Sequence, residues 1–168
     1  MKKQSNRRKF LATSTSRAGV AAAAIALVDT AKAAPEKEKT KGGKKVFARP
    51  GQQVAPGALY SPGVQLGNLI FTSGHIPMDP ATREIVPGPF ANQVRQCLEN
   101  VKEVVEAGGS SMGKVLKCTV FLSDIANYQA MNEVYVKFFP SDPPARTTIA
   151  VKDLPFESPI EIECIAGV

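Results

Sequence analysis

Phe90-Ala91-Asn92-Gln93-Val94-Arg95-Gln96-Cys97-Leu98-Glu99-Asn100-Val101-Lys102-Glu103-Val104-Val105-Glu106-Ala107-Gly108-Gly109 sets Phe90, Val94, Cys97, Leu98, Val101, Val104 and Val105 on one face at helical spacing. The glycine pair predicts the stop. Beyond it the period changes. Residues 115–122, Val-Leu-Lys-Cys-Thr-Val-Phe-Leu, are largely apolar and predict a strand inside a sheet. Asp124 can then cap a second helix carrying Tyr128, Met131, Val134, Tyr135 and Phe138 on one face, ended by Pro140. Upstream, residues 46–49 read as a short strand, and residues 60–66 and 68–74 as two strands meeting at Gly67-Asn68. A Pro/Gly-rich loop follows, with a further short strand expected at residues 83–86. Downstream, Thr147, Ile149 and Val151 alternate along one strand, and Ile160, Ile162 and Cys164 along the last.

The order β-β-β-α-β-α-β-β, without internal repeats, predicts an α+β domain with two helices on one face of the sheet. The opposite face is then left bare, and self-association is expected to cover it. Residues 46–168 fit the usual size of one domain, roughly 100–150 residues.

Charge divides the chain further. The formal net charge of +6 over 168 residues lies entirely in residues 1–33, with seven basic side chains against Asp29. Residues 34–45 add five lysines and two glutamates. Residues 46–168 hold nine basic and twelve acidic side chains, a net of −3, which argues against a nucleic-acid partner.

The first 33 residues are ordered as an export signal. Lys2 to Lys9 form a positive region, residues 18–28 an apolar one, and Ala31-Lys32-Ala33 a cleavage site. The apolar stretch is too short for a membrane span, which needs roughly 20 residues, so no stable membrane anchor is expected. Ser5-Asn6-Arg7-Arg8-Lys9-Phe10-Leu11 resembles the twin-arginine (Tat) signal; the rival reading is a basic tail that happens to contain Arg-Arg. The resemblance implies passage through the Tat translocase, a periplasmic location and a mature chain beginning near Ala34. Residues 34–45 lack large apolar side chains and read as a flexible spacer.

Few groups can carry chemistry. His75 is the only histidine, so His-rich zinc sites and His–His acid/base pairs are excluded. A Ser/His/Asp triad through His75 rests on residue availability alone, and His75 is expected to pack or hydrogen-bond at a strand end. Cys97, Cys118 and Cys164 have no C-x-x-C spacing and sit one in each of three periodic elements, as small buried hydrophobes do. The chain has no dinucleotide, Walker or G-x-S-x-G motif. There remain Arg146, opening an otherwise apolar and threonine-rich strand, and Glu161 and Glu163, opposite the apolar face of the last strand. Periodicity alone allows a solvated sheet face. It equally allows an anion site, in which an arginine clamps a carboxylate and a glutamate at an adjacent strand end handles a proton or a water.

Four blocks of sequence bear on that choice. Tyr60-Ser61-Pro62-Gly63-Val64, residues 67–77 (Gly-Asn-Leu-Ile-Phe-Thr-Ser-Gly-His-Ile-Pro), Pro144-Ala145-Arg146-Thr147-Thr148 and Ile160-Glu161-Ile162-Glu163-Cys164-Ile165-Ala166 resemble the Rid family of reactive intermediate (imine) deaminases, also called YjgF. The likeness runs from about Val46 to Ala166 in unbroken order.

The resemblance implies a chorismate-mutase-like α+β subunit in a homotrimer with sites in clefts between subunits. It implies cofactor-free hydrolysis of 2-imino or 2-enamino acids to 2-oxo acids and ammonia. Arg146 would clamp the substrate carboxylate, Glu161 would orient and polarise the attacking water, and Tyr60 would line the pocket. Ser73 and Gly74, with backbone groups around Thr148, would complete substrate binding. Family members often carry Cys where this chain has Thr148 and Gln where it has His75, and the segment 140–145 is short. The rival from another class is a non-catalytic periplasmic protein binding or sensing a small carboxylate, with a holdase-type chaperone as a weaker third. Glu161 discriminates, because a pure binding module has no evident use for it.

Overall fold

A computed structural model describes residues 43–168. The expected export signal at residues 1–33 and most of the expected spacer at residues 34–45 lie outside the described residues. Six strands and two helices follow one another among them: β1 Lys45–Phe47, β2 Gly63–Leu66, β3 Leu69–Thr72, α1 Phe90–Ala107, β4 Val115–Leu122, α2 Tyr128–Phe138, β5 Ala145–Ala150 and β6 Ile160–Gly167. The order matches the predicted one. The first strand starts one residue earlier than its sequence pattern indicated, and the stretch at residues 83–86 contributes only an isolated Met78–Ile85 bridge.

The strands form one sheet in the order β1-β2-β3-β6-β4-β5, antiparallel except for the β4–β5 pair that α2 connects. The last strand in sequence is thus central in space. Its alternation decides the layers: Ile160, Ile162, Cys164 and Ala166 are buried and pack with Cys118, Val120 and Leu122 of β4 and with the apolar stripes of both helices in a single core. Glu161, Glu163 and Ile165 point the other way. That second face, with Phe71, Phe121 and Ile149 half-buried or exposed, has no covering layer among the described residues.

α1 buries Val94, Cys97, Leu98, Asn100, Val101, Val104 and Val105. It ends where Gly109 takes φ +85°, a conformation that glycine adopts without steric cost, and Ser110 N–H closes back on Val105 O at 3.1 Å. Asp124 does cap a helix, but a short one: its carboxylate accepts from Ala126 N–H at 2.9 Å at the head of the 3₁₀ turn Ile125–Asn127, which leads into α2. Met131, Val134 and Tyr135 turn inward as their spacing indicated. Tyr128 stays exposed, and Phe139, one residue past α2, is buried in its stead. All three cysteines are buried and free; burial pushes their thiols up, that of Cys164 to about 12, which leaves them protonated and poorly nucleophilic. Of the helices among the described residues, none is long and apolar enough to cross a membrane.

Candidate functional site

The site begins where β3 ends. After Thr72 the chain bulges past Ser73 and Gly74 and rejoins β6, where His75 and Ile162 exchange backbone hydrogen bonds of 2.8 and 2.9 Å. This pairing lays Gly74 against the side chain of Glu161. A β-carbon on residue 74 would sit 2.7 Å from the Glu161 carboxyl carbon, so the carboxylate occupies space that only glycine leaves open. Ser73 ties the neighbouring loop in place: its N–H donates to Pro62 O at 2.9 Å and its hydroxyl to Ser61 O at 2.7 Å. Tyr60 is thereby held above the same hollow, a pocket of about 260 Å³ lined by Tyr60, Ser73, Gly74, Ile76, Phe156 and Glu161. A wider cleft of about 540 Å³ shares Tyr60, Gly74, Ile76 and Phe156 with it and extends to Arg49, His75 and Met78.

Helix α1 fixes this loop from below. Asn100 is fully buried within the apolar stripe; its amide donates to Ile76 O at 2.8 Å and Met78 O at 2.9 Å, while its Oδ1 accepts from Gln96. Cys97 Sγ lies 2.9 Å from His75 O as a donor. Asn100 was not singled out from the sequence, although a polar residue three beyond Cys97 and four before Val104 interrupts the stripe and signals a satisfied buried group.

Electrostatics sets the two titratable groups apart. Burial first, and the neighbouring Glu163 charge second, raise the Glu161 carboxyl above its ordinary value. Burial, with the Arg49 guanidinium adding to it, pushes His75 down to about 4. At neutral pH the imidazole is therefore uncharged, and its Nε2 is buried with no hydrogen-bond partner among the described residues. Arg49 itself pairs with Glu103 at 3.5 Å.

Arg146 lies elsewhere. The sequence reading put it and the two glutamates at adjacent strand ends, but β4 runs between β5 and β6, and the residues take opposite faces. Arg146 pairs with Cys118, on the helix side, whereas Glu161 pairs with Phe121, on the bare side. Its guanidinium stacks 4.5 Å from the Tyr135 ring centroid and 5.6 Å from that of Tyr128, and donates to Tyr128 OH at 3.2 Å. Among the described residues it forms no ion pair. Thr148, two residues along the same edge strand, faces the same way with a buried hydroxyl lacking a partner among the described residues. The spacing of Tyr128 and Tyr135, seven residues apart on α2, points both to the core, which Tyr135 joins; nothing local in the sequence marks the pair as the support of an arginine from another element.

The predicted site residues thus fall into two groups within one chain. Tyr60, Ser73, Gly74 and Glu161 share a pocket; Arg146 and Thr148 stand two strands away on the sheet edge. Ser73 lines the pocket while its hydroxyl donates to Ser61 O and holds the loop that carries Tyr60. Among the described residues, no group of three or more His, Cys, Asp or Glu is placed to hold a metal ion.

Comparison with known proteins agrees with these features. The family described as Endoribonuclease L-PSP matches residues 51–168. RutC family protein PH0854 of Pyrococcus horikoshii is 47% identical over 107 residues, covering 64% of this chain and 85% of that protein. Reactive Intermediate Deaminase A, chloroplastic, of Arabidopsis thaliana is 41% identical over 114 residues, 67% of this chain and 61% of that protein. The crystal structure of the YjgF gene product of E. coli is similar with a TM-score of 0.67 and 44% sequence identity, covering 73% of this chain and 98% of that one. With most of the domain matched, and the Gly74–Glu161 pocket and Arg146 falling inside the matched residues, the chain belongs to the endoribonuclease L-PSP family, the Rid (YjgF) family that its four sequence blocks resemble.

Proposed function

We propose that this protein hydrolyses 2-imino acids, or their enamine tautomers, to 2-oxo acids and ammonia, at sites shared between copies of the chain in a homotrimer. The observation that carries this reading is the Glu161 carboxylate seated on Gly74 beneath Tyr60, with its pKa raised. A carboxylate so placed can hold a water and take its proton, and a raised pKa brings it closer to the working range of a general base. Kinship with a protein named for reactive intermediate deamination supports the same class of reaction.

The chemistry demands little more. Water adds to the electrophilic C2 carbon of the imine as its proton passes to Glu161. That proton passes on to the imine nitrogen to give the neutral carbinolamine. Glu161 then takes the carbinolamine's hydroxyl proton and delivers it to the amine as the C–N bond breaks, so that C2 becomes the carbonyl of the 2-oxo acid and the nitrogen leaves as ammonia. Fixing the acid and the water in near-attack geometry supplies the acceleration. Arg146 is the cation suited to the substrate carboxylate, since its planar fork has no competing carboxylate among the described residues. Arg146 stands apart from Glu161 within a chain, which supports a site completed by the arginine of a second copy. The bare sheet face bearing Phe71, Phe121, Ile149 and Ile165 is apolar enough to drive such an assembly.

The test couples an amino-acid oxidase to the purified chain and traps residual imine with semicarbazide. Loss of imine should accelerate with the protein present and return to background with Arg146→Ala at unchanged thermal stability. No acceleration across several amino acids would favour a carboxylate-binding protein instead.

Location belongs to the same proposal. The ordered basic, apolar and Ala31-Lys32-Ala33 segments support Tat export of a folded chain to the periplasm. N-terminal sequencing of exported protein should find a start near Ala34; an intact Met1 would remove the idea.

A further inference from the structure

Between β5 and β6 the backbone makes a strained turn. Phe156 takes φ 57°, ψ 29° and Glu157 follows at φ 54°, two consecutive non-glycine residues in the left-handed region. An L side chain there pays a steric penalty, and a bulky one is a true outlier. The segment is held in that shape from both sides. Ser158 is buried, its N–H bonds Pro155 O at 3.1 Å, its hydroxyl donates to Ile160 O at 2.7 Å, and Pro159 O accepts from Ser123 N–H. Nothing in the core repays the strain, because the Phe156 ring is 72% exposed.

The ring is exposed at one particular place. Phe156 lies on the lip common to the Glu161 pocket and to the wider cleft beside it, and the other aromatic on that lip, Tyr60, is itself 69% exposed. Past the lip the wide cleft, of about 540 Å³, offers Ile76, Met78 and the uncharged His75, with Arg49, Asp79 and Arg83 along its rim. Strain held by a rigid surround, an aromatic ring given to solvent, and a position at the mouth of a catalytic hollow are three independent properties of one residue.

On the deaminase reading above, we propose that Phe156 and Tyr60 form an aromatic gate for the substrate side chain, which makes 2-imino acids with large apolar side chains, aromatic ones foremost, the preferred substrates. The imine carbon would sit over Glu161 and Gly74, and the side chain would pass between the two rings into the wide cleft, burying apolar surface on both. Phe156 is then a specificity-determining residue and takes no part in proton transfer.

The test compares kcat/KM for imines generated from phenylalanine, leucine, alanine and glutamate, in the natural protein and in Phe156→Asn. Asparagine tolerates the left-handed conformation and removes the ring, so the fold should persist, as checked by Tm. The phenylalanine-to-alanine selectivity ratio should exceed one in the natural protein and fall about tenfold or more in the variant, with Phe156→Tyr restoring it. Calorimetric binding of phenylpyruvate and of pyruvate supplies a readout that needs no turnover. An unchanged ratio, or a preference for the alanine or glutamate imine, overturns the gate while leaving deamination standing. Phenylpyruvate binding lost in Phe156→Asn, in a protein that turns over no imine, supports the gate and removes the deaminase reading. Absence of both turnover and selective binding overturns both.

Discussion

The carboxylate of Glu161 rests on the Cα of Gly74, in space where any larger residue would place a β-carbon 2.7 Å from its carboxyl carbon. Gly74 is not in the left-handed region, so an alanine there is strained only by this contact and not by its backbone. Gly74→Ala should therefore leave the fold intact and push Glu161 out of register with its water. A misplacement of that order lowers kcat/KM by about 100-fold. Steady-state rates beside a Tm within a few degrees of the natural protein would show it; a large loss of Tm would mean instead that Gly74 serves the backbone.

The raised pKa of Glu161 has two causes that mutation separates. As a base the carboxylate must be ionised, so kcat/KM rises as pH climbs through its pKa, and a raised pKa moves that acid limb above the ordinary 4.5. Glu163→Gln removes the like charge and leaves the burial. The limb should then shift to lower pH without returning to 4.5, since burial is the larger cause. A pH–rate profile in which the limb stays put would detach it from Glu161.

His75 sets a stability limit rather than a rate. Its folded pKa is about 4 against an ordinary 6.5, so the unfolded chain takes up a proton first as the pH falls. The sign follows: stability is full above 6.5, declines between 6.5 and about 4, and levels off below. That gap corresponds to about 3 kcal/mol. His75→Gln stays neutral throughout and should lose this part of the acid dependence. Denaturant melts of both proteins at pH 7, 5.5 and 4 should show the natural protein losing stability relative to His75→Gln as the pH falls; a constant difference would mean that the imidazole titrates alike folded and unfolded.

Much of this architecture was legible in the sequence because it is local. The stripe from Phe90 to Val105, the alternation of Ile160, Ile162 and Cys164, and Gly108-Gly109 each dictate an element by spacing alone. What stayed hidden is what depends on strand order. The sequence places Arg146 and Glu161 on neighbouring elements, but β4 lies between them and turns them to opposite faces, which no periodicity encodes. Asn100 could be seen as a break in an apolar stripe, yet its partners Ile76 and Met78 lie over twenty residues away. Ser73, expected at the substrate, does line the pocket, but its hydroxyl bond to Ser61 O, which holds the loop carrying Tyr60, has no local sequence signal. Phe156 carried no sequence signal at all, since an aromatic after Leu-Pro reads as packing until its φ is known.

The separation of Arg146 from Glu161 also decides how the site can be tested as a shared one. If each site takes Glu161 and Tyr60 from one copy and Arg146 from its neighbour, then Arg146→Ala and Glu161→Gln chains are each inactive alone but complementary when mixed. In a trimer assembled at random from equal amounts, a site is intact only when an Arg146→Ala chain supplies the glutamate and a Glu161→Gln chain supplies the arginine. That arrangement holds for about one quarter of sites, so coexpressed chains should recover about one quarter of the natural kcat. If both residues instead served the same chain's pocket, every mixed assembly would still hold one defect per site, and the activity would stay at background. The recovered fraction therefore measures whether the arginine at the sheet edge belongs to the pocket of the next subunit.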